Sequence, residues 1–478
     1  MQTIHYPIKG RKIREVITQR TLDMLIAQWE NWQQGPGVIG RLNLHSCWGT
    51  ASVLDRGYQG ETVTIHALQM RVVRRLYEQT RNPKWKVMLD SMASHLLYLQ
   101  DKSGGFIHAT AEFEPTFDTR GCPIHFFHPI IALCEYYMWE YADENIKALI
   151  PGAVDRQWEW SLTHSWRVGN GFKRPLPFPG WCGVTNQDFV AVGAIVMTMK
   201  AFGDLDPKYA QRYEEYGKPT LDYYLSPAYY HEAIGLFERG DGKNFAERTV
   251  YYTHILEMLL LIGEAMGDER LIEVYDNVID HIFDAVFVHT DGLTYLARGA
   301  ITDPEDKTFV KGWEYNAIAF DHYVNLMKHM RIYLSRHPSE ERSAILERLH
   351  DTIAAYVYED GSIPLGMFNP NPLFSVVTNP DNGWYIEFVM DVLGDDLVDP
   401  QPVEMPCIHR ISGDITWKQK GALWAIEEKG ERKYGGFSRF PGGVVSGTEA
   451  KPVWGSFDAL ENPDVIETID VDDIAKKR

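Results

Sequence analysis

The sequence predicts an all-α protein built from six helical hairpins closed into a ring, with a small β-rich appendage at its C-terminal end. One layout recurs about every 60 to 70 residues: a polar and aromatic cluster, an amphipathic helix, a tight turn, a second helix and a long loop. The apolar period is helical as far as about residue 399 and then becomes short and alternating. We therefore expect a helical ring over residues 1–398 and a β-rich appendage with a charged tail over residues 399–478.

Twelve helices follow from this period. The first is expected at residues 13–32, where Ile17, Leu22 and Leu25 lie on one stripe. Five hairpins are expected to begin near Glu61, His125, Gln187, Arg248 and Glu314. Their turns are expected at the polar junctions 81–83, 142–144, 203–204, 267–268 and 337–339. A last helix near residues 383–393 completes the ring.

The turns inside the hairpins are short, and the loops between hairpins are long. In a closed ring this places every tight turn on one face and every long loop on the other. The first helix of each hairpin is the more apolar, as in residues 190–197 and 254–262, so it belongs to an inner ring that is packed on both sides. Ligand contacts are therefore expected on the long-loop face, where the polar clusters converge.

The best local motif is Asn186-Gln187-Asp188 followed by an apolar helix. It resembles the Asp-led inner helix of unsaturated uronyl hydrolases, and residues 13–397 resemble the six-hairpin glycosidases, whose fold is an (α/α)6 toroid found also in polysaccharide lyases. The resemblance implies that Asp188 exchanges the catalytic proton. Where those hydrolases place a second aspartate, this chain has His125, His128 and their neighbours.

The main hypothesis is a glycoside hydrolase that acts on short oligosaccharides containing uronic acid. Such an enzyme needs two carboxyl groups about 5 to 10 Å apart, and Glu112 in the loop 110–118 is expected to partner Asp188. Glu61, Glu247 and Glu314 are alternatives for the second group. Asp188 would instead have a purely structural role if it formed a capping box with Thr185.

Other activities stay open. His128 and Tyr252, with His125, Tyr251 and Asn186, would suit a lyase that cleaves uronate linkages by β-elimination. A sugar epimerase and a non-catalytic sugar-binding ring are further alternatives. The two histidines lack a third ligand at convincing spacing, so neither a metal nor another cofactor is expected.

The predicted binding wall combines arginines for a uronate carboxylate with aromatic rings for the sugar faces. Arg56 and Arg248 could equally form salt bridges with Asp55 and Glu247. The substrate-binding residues predicted from sequence are Trp48, Arg56, Glu61, His125, Trp181, Asn186, Gln187, Arg248, Tyr251, Trp313, Glu314, Tyr315 and Trp384.

Composition limits the partners. The net charge of −19 argues against binding to nucleic acid or to an anionic membrane, because both need a basic face. No window approaches the roughly 18 apolar residues of a membrane span, and the N-terminal segment has no apolar stretch of the signal-peptide kind. The cysteines number five and show no paired spacing. We therefore expect a cytoplasmic protein with reduced thiols and an oligosaccharide as its partner.

Overall fold

The computed structural model describes the chain in segments. These are residues 6–32, 63–106, 123–163, 166–168, 172–174, 183–240, 243–303, 305–315, 318–364, 366–367, 383–404, 407–412, 414–420, 423–437 and 444–446. None of the helices in these segments has the length and apolar character needed to cross a membrane.

Helices dominate the described residues. They are Ile13–Val16 (α1), Gln19–Trp32 (α2), Val63–Thr80 (α3), Pro83–Tyr98 (α4), Pro123–Tyr137 (α5), Glu144–Thr163 (α6), Thr185–Phe202 (α7), Lys208–Arg212 (α8), Lys218–Tyr224 (α9), Tyr252–Met266 (α10), Glu269–Asp284 (α11), Phe320–Arg336 (α12), Glu340–Tyr356 (α13) and Gly383–Leu393 (α14). A π-helical segment, Tyr213–Gly217, joins α8 to α9.

The helices form the two concentric layers of an (α/α)6 toroid. The inner helices α3, α5, α7, α10, α12 and α14 each pack against the next, and α14 returns to pack against α3. The outer layer consists of α2, α4, α6, the α8–α9 pair, α11 and α13, which alternate with the inner helices along the chain. All inner helices therefore begin on the long-loop face, called the mouth below, and end on the tight-turn face.

Local sequence explains the tight turns. Asn82 caps α4, since its side chain accepts a hydrogen bond from the amide of Lys84. Gly267 ends α10 in the left-handed conformation with φ 63°, and Asp268 at once caps α11. Ser339 caps α13 by accepting from the amide of Arg342. These turns occur where the Gly, Asn, Asp and Ser residues predict them.

The inner ring is packed tightly. Most of α7 is buried, and α10 approaches it so closely that a Cβ on Gly193 would lie 2.1 Å from the sulfur of Met258. The ring is closed by charge as well as by packing. Asp391 of α14 accepts hydrogen bonds of 2.6 Å from both Arg75 of α3 and Arg331 of α12.

Short antiparallel strands occupy the long loops. They are Trp166–Val168 (β1), Phe172–Arg174 (β2), Tyr230–His231 (β3), Leu236–Gly240 (β4), Lys243–Ala246 (β5), Val286–Val288 (β6), Thr294–Leu296 (β7), Gly299–Thr302 (β8), Val310–Glu314 (β9), Ile318–Ala319 (β10) and Gly366–Met367 (β11). The pairs are β1 with β2, β6 with β7, β8 with β9 and β10 with β11, while β3, β4 and β5 form one sheet.

The C-terminal segment forms the expected β-rich appendage. It is a five-stranded antiparallel meander of Cys407–Ser412 (β12), Ile415–Lys420 (β13), Leu423–Glu428 (β14), Glu431–Phe437 (β15) and Val444–Ser446 (β16). The strands pair in chain order, which suits the short alternating segments of the sequence. The domain boundary near residue 398 stays a prediction.

Two helices differ from the sequence prediction, one in where it begins and one in its continuity. The fifth hairpin does not start at Glu314, because Trp313 and Glu314 pair with Ala300 and Gly299 in the β8–β9 ladder, and α12 begins only at Phe320. The first helix is interrupted at Ile17, whose backbone is extended, so it splits into α1 and α2.

Candidate active site at the mouth of the toroid

Three histidines from three inner helices meet at the centre of the ring. His128 of α5, His254 of α10 and His322 of α12 form what we call the histidine cluster. Trp384 in the first turn of α14 covers it, with ring centroids 5.4 Å from His254 and 5.1 Å from His322. Because α5 and α10 are separated by α7 in the ring, and α10 and α14 by α12, the His128–His254 and His254–Trp384 contacts lie inside the ring.

The cluster is held by hydrogen bonds between its own members and their helices. Nε2 of His128 and Nδ1 of His254 share a hydrogen bond of 3.2 Å. Nδ1 of His322 bonds to the hydroxyl of Thr253 at 3.0 Å, and the rings of His254 and His322 lie 6.0 Å apart. One imidazole nitrogen of the pair donates while the other accepts, so the tautomer of one ring determines the tautomer of the other.

Burial keeps two of these imidazoles, His128 and His254, uncharged. It lowers the pKa of His128 to about 4, and it lowers the pKa of His254 well below its usual value, with His128 and His322 adding to the effect. Both rings are therefore neutral near pH 7, and a neutral imidazole offers a basic nitrogen for proton transfer.

An ion network forms the floor beneath the cluster. Glu257 lies one helical turn below His254 on α10 and is hydrogen bonded to Arg71 of α3. Arg71 also donates to Glu135 of α5 over 3.1 Å. Burial alone would raise the pKa of Glu257, but the charge of Arg71 brings it down to about 2. The carboxylate is therefore ionised beneath two neutral imidazoles.

Guanidinium groups form one wall of the mouth. Arg239 of β4 donates to the side chains of Asn186 (3.3 Å) and Glu247 (3.1 Å), and its guanidinium carbon lies 4.5 Å from the centre of the Tyr251 ring. Glu247 is fully buried and also accepts from the amide of Arg248 over 2.9 Å. Arg239 and Glu247 thus fix the entrance to α10.

A further arginine completes this wall. The amide of Thr249 donates to the carbonyl of Arg298 over 2.7 Å, and Arg248 and Gly299 form a β-bridge, which places Arg248 and Arg298 side by side. Burial and the neighbouring charge of Arg248 lower the pKa of Arg298. The nearby carboxylate of Glu314 acts on the pKa of Arg298 in the opposite direction.

Asp188 lies in the first turn of α7 but faces the outer layer. Its Oδ2 accepts hydrogen bonds from the hydroxyl of Tyr224 in α9 (2.6 Å) and from the amide of Gly183 (3.0 Å), and the residue is fully buried. The capping box with Thr185 does not form, since the Thr185 hydroxyl donates to the carbonyl of Glu238 instead. A catalytic role for Asp188 stays a prediction.

Tyr252 also faces outward. Its hydroxyl accepts from the amide of Phe237 over 2.9 Å, and its ring contacts His281 of the outer helix α11. Burial raises the pKa of the Tyr252 hydroxyl well above its usual value. Its neighbour Tyr251 points the other way, toward Arg239 and His322.

The other predicted residues divide into three groups. His125 and Gln187 lie in the first turns of α5 and α7, so they belong to the mouth. Trp313 and Glu314 lie on β9, where Trp313 contacts His281, and Tyr315 is exposed. The predicted residues that lie outside the described segments are Trp48, Arg56, Glu61, Glu112 and Trp181.

Sequence reasoning missed His254, His322 and Arg239 as site residues. A signal was present for the first two: His254 and Glu257 are three apart on α10, as are His322 and Asn325 on α12, and polar residues at this spacing interrupt apolar helices. Arg239 lies in a β-hairpin far from any helix start, so no pattern marked it. Among the described residues, no group of three or more His, Cys, Asp or Glu side chains is placed to hold a metal ion.

Comparison with known proteins identifies the fold. No family model matches the sequence, and no curated protein is significantly similar to it. Among solved structures, a D-mannose isomerase has a TM-score of 0.55 and 12% sequence identity, covering 78% of this chain and 96% of that chain. A sugar epimerase from a ruminal bacterium has a TM-score of 0.54 and 14% identity, covering 80% and 99%.

The glucoamylase of Saccharomycopsis fibuligera is similar to the same extent. Its TM-score is 0.53 at 12% identity, and the match covers 83% of this chain and 99% of the glucoamylase. The fold is the (α/α)6 toroid. At these identities the likeness concerns the fold, and the chemistry has to be argued from the mouth itself.

Proposed function

We propose that the protein is a carbohydrate-active enzyme that moves a proton at the carbon next to the carbonyl group of a sugar, as an epimerase or isomerase does. The observation that carries the proposal is the His128–His254 hydrogen bond, with His322 beside it, at the centre of the mouth. General acid–base catalysis needs groups that are correctly protonated and held within reach of one substrate. Neutral imidazoles from separate helices meet that need.

Both reactions remove one proton from carbon and return one to carbon, with no net change in protons. One imidazole removes the proton from the carbon beside the carbonyl, and the negative charge moves to the carbonyl oxygen as an enediolate. The imidazolium formed in this step passes a proton through the His128–His254 hydrogen bond, and the second ring returns a proton to the other face of the same carbon, which gives the epimer. Return of the proton to the former carbonyl carbon, together with transfer of a proton from the adjacent hydroxyl to the former carbonyl oxygen, gives the isomer. The guanidinium wall of Arg239, Arg248 and Arg298 is suited to stabilise the developing oxyanion.

Structural relatives support this choice at the level of fold. A D-mannose isomerase and a sugar epimerase share the toroid over more than three quarters of this chain. The histidine cluster of this chain lies near the starts of the inner helices, on the face that carries the long loops. We infer that the mouth is the active site and that its ligand is a sugar.

The second candidate is cleavage of an oligosaccharide that contains uronic acid, by hydrolysis or by β-elimination. The arginine wall favours it, because guanidinium groups pair well with carboxylates. Elimination would use the histidine cluster as its base. Hydrolysis needs two carboxyl groups that face the substrate, and Asp188 is hydrogen bonded to Tyr224 in the outer layer. Of the two cleavage reactions, hydrolysis is therefore less well supported than β-elimination.

A single panel experiment separates these reactions. The purified protein is incubated in D2O with neutral aldoses, with uronates and with uronate oligosaccharides, and the products are followed by NMR and ultraviolet absorbance. We expect deuterium at the carbon next to the carbonyl of an aldose or ketose. An unsaturated product absorbing in the ultraviolet would mean elimination, and new reducing ends without deuterium would mean hydrolysis.

Variants connect the activity to the site. His254→Asn replaces one imidazole of the His128–His254 pair with an amide, which cannot take up a proton. The variant should lower the exchange rate at least about 100-fold, the lower end of what acid–base catalysis contributes. His289→Asn, at a partly exposed histidine of a surface loop, is the matched control and should exchange at the parental rate. Equal activity of both variants would overturn the proposal.

A further inference from the structure

A second cavity lies at the other end of the ring axis. It measures about 800 Å³ and opens on the tight-turn face. All six inner helices line it, mostly with residues of their C-terminal halves, such as Glu135 of α5, Lys200 of α7 and Leu261 of α10. A volume of this size falls within the range of about 300 to 1,000 Å³ that is typical of small-molecule sites.

The cavity is separate from the mouth. Arg71 and Glu257 line it, and their ion pair joins the opposite inner helices α3 and α10 beneath His254. None of the three residues of the histidine cluster lines the cavity. The paired side chains therefore act as a partition between two compartments that share one axis.

The charges that line the cavity are largely paired. Arg71 bonds Glu135 and Glu257, and Lys328 contacts Glu387 over 3.2 Å. A charged ligand would have to compete with these pairs. Their unused donors and acceptors remain side by side, and Oε2 of Glu257 accepts no hydrogen bond from any residue within the described segments. A ligand that both donates and accepts, and that carries no charge, matches such a lining.

The remaining wall is apolar. Met138 and Trp139 from the α5–α6 turn, together with Leu261, face the same space as the charged groups. Apolar and aromatic surface beside fixed donors and acceptors is the combination that suits a sugar ring, which has apolar C–H faces and a hydroxyl edge.

We propose that this cavity is a second saccharide-binding site, on the face opposite the mouth, that takes a neutral sugar of one or two rings. The site uses the paired ions for the hydroxyl groups and the Met138, Trp139 and Leu261 surface for the ring. It is independent of the reaction at the mouth and needs none of the histidines there.

Ligand-detected NMR titration with glucose and maltose tests the proposal on the full chain. Ala265→Trp places a large ring at the exposed rim of the cavity without removing a buried group. The control is Leu205→Trp, because Leu205 is 64% exposed in the α7–α8 turn of the same face and does not line the cavity. His254→Asn reports on the mouth.

We expect Ala265→Trp to weaken the binding of glucose or maltose at least about tenfold, while Leu205→Trp and His254→Asn retain the parental affinity of this site. Glu264→Trp, at another exposed lining position, gives the same expected result should Ala265→Trp fail to fold. Binding lost only in His254→Asn would place the sugar at the mouth and overturn the proposal. Binding of putrescine that weakens with salt, with neither sugar bound, would also overturn it.

Discussion

Neighbouring side chains at the mouth point in different directions because a helical turn rotates the chain by about 100 to 120° per residue. Tyr251 faces Arg239 and His322, whereas Tyr252 is fixed against Phe237 and His281. The sequence predicted that the site lies where inner helices begin. It could not predict which side chain in each first turn faces the axis, since that depends on how each helix is rotated against its neighbours.

The same rotation decides the expected behaviour of Asp188. Asp188→Asn should destabilise the protein by about 1 to 2 kcal/mol, because the amide oxygen that can still accept from Tyr224 and Gly183 is a weaker acceptor than a carboxylate oxygen. Turnover per folded molecule should stay close to parental. Melting temperature and turnover measured on one preparation check this.

Tyr224→Phe is the matched variant for this prediction. It removes the donor on α9 and leaves α7 unchanged, so it should lower the melting temperature in the same direction without altering turnover. A loss of turnover by two decades in Asp188→Asn, with an unchanged melting temperature, would contradict the structural role and restore the hydrolase hypothesis.

At the scale of the elements, local signals predicted more than long-range ones. The tight turns at Asn82, Gly267 and Ser339 were predicted because helix caps depend on the identity of adjacent residues in the sequence. The predicted start of the fifth hairpin at Glu314 was wrong, because Glu314 pairs with Gly299 in a β-ladder. That pairing depends on residues of another loop, and a strand as short as β9 has too few residues to show an alternating apolar pattern in the sequence.

Close contact between inner helices yields a prediction for Gly193. Gly193→Ala should destabilise the protein by about 1 to 3 kcal/mol, because the new methyl group would overlap the sulfur of the buried Met258. Chemical denaturation measures the change. Gly152→Ala is the control, since its nearest neighbour is the flexible end of Arg156 at 3.4 Å.

The control variant Gly152→Ala should change the free energy of unfolding in the opposite direction. Alanine in place of a helical glycine is expected to stabilise the protein by about 0.5 to 1 kcal/mol when space allows. In a double-mutant cycle, Gly193→Ala should cost less in a Met258→Ala background than in the parental protein. A neutral effect of Gly193→Ala alone would show that α7 and α10 are less tightly packed than described.

At the scale of the whole molecule, buried histidines connect stability to pH. Burial lowers the pKa of His128, His281 and His350 to about 4 and that of His329 to about 3. Their unfolded pKa is about 6.5, so below that pH the unfolded chain binds protons that the folded chain does not. The free energy of unfolding should therefore fall as the pH drops from about 6.5 toward 4, by roughly 1 kcal/mol per histidine and pH unit.

Urea denaturation at pH 7 and at pH 5 measures this slope. His350→Phe removes one of these groups from a site far from the mouth, where the ring contacts Phe388, and should reduce the slope by about one proton. A parental slope in this variant would mean that His350 already binds its proton in the folded state.

The closure of the ring gives the second prediction at this scale. Asp391→Asn should cost about 1.5 to 3 kcal/mol, because the half-buried carboxylate holds both Arg75 and Arg331. Asp395→Asn, at an exposed acid just beyond α14, is the control and should change little. Equal melting temperatures for the two variants would mean that packing alone closes the ring.

Closure also has a consequence for the chain as it is made. Consecutive inner helices are close in sequence, but Arg75 and Asp391, which accepts its hydrogen bond, are 316 residues apart. Hairpins can therefore join one after another during synthesis, whereas the final seam waits for α14. Until that helix leaves the ribosome, the apolar flanks of α3 and α12 have no partner, and we expect this to be when the nascent protein most needs a chaperone.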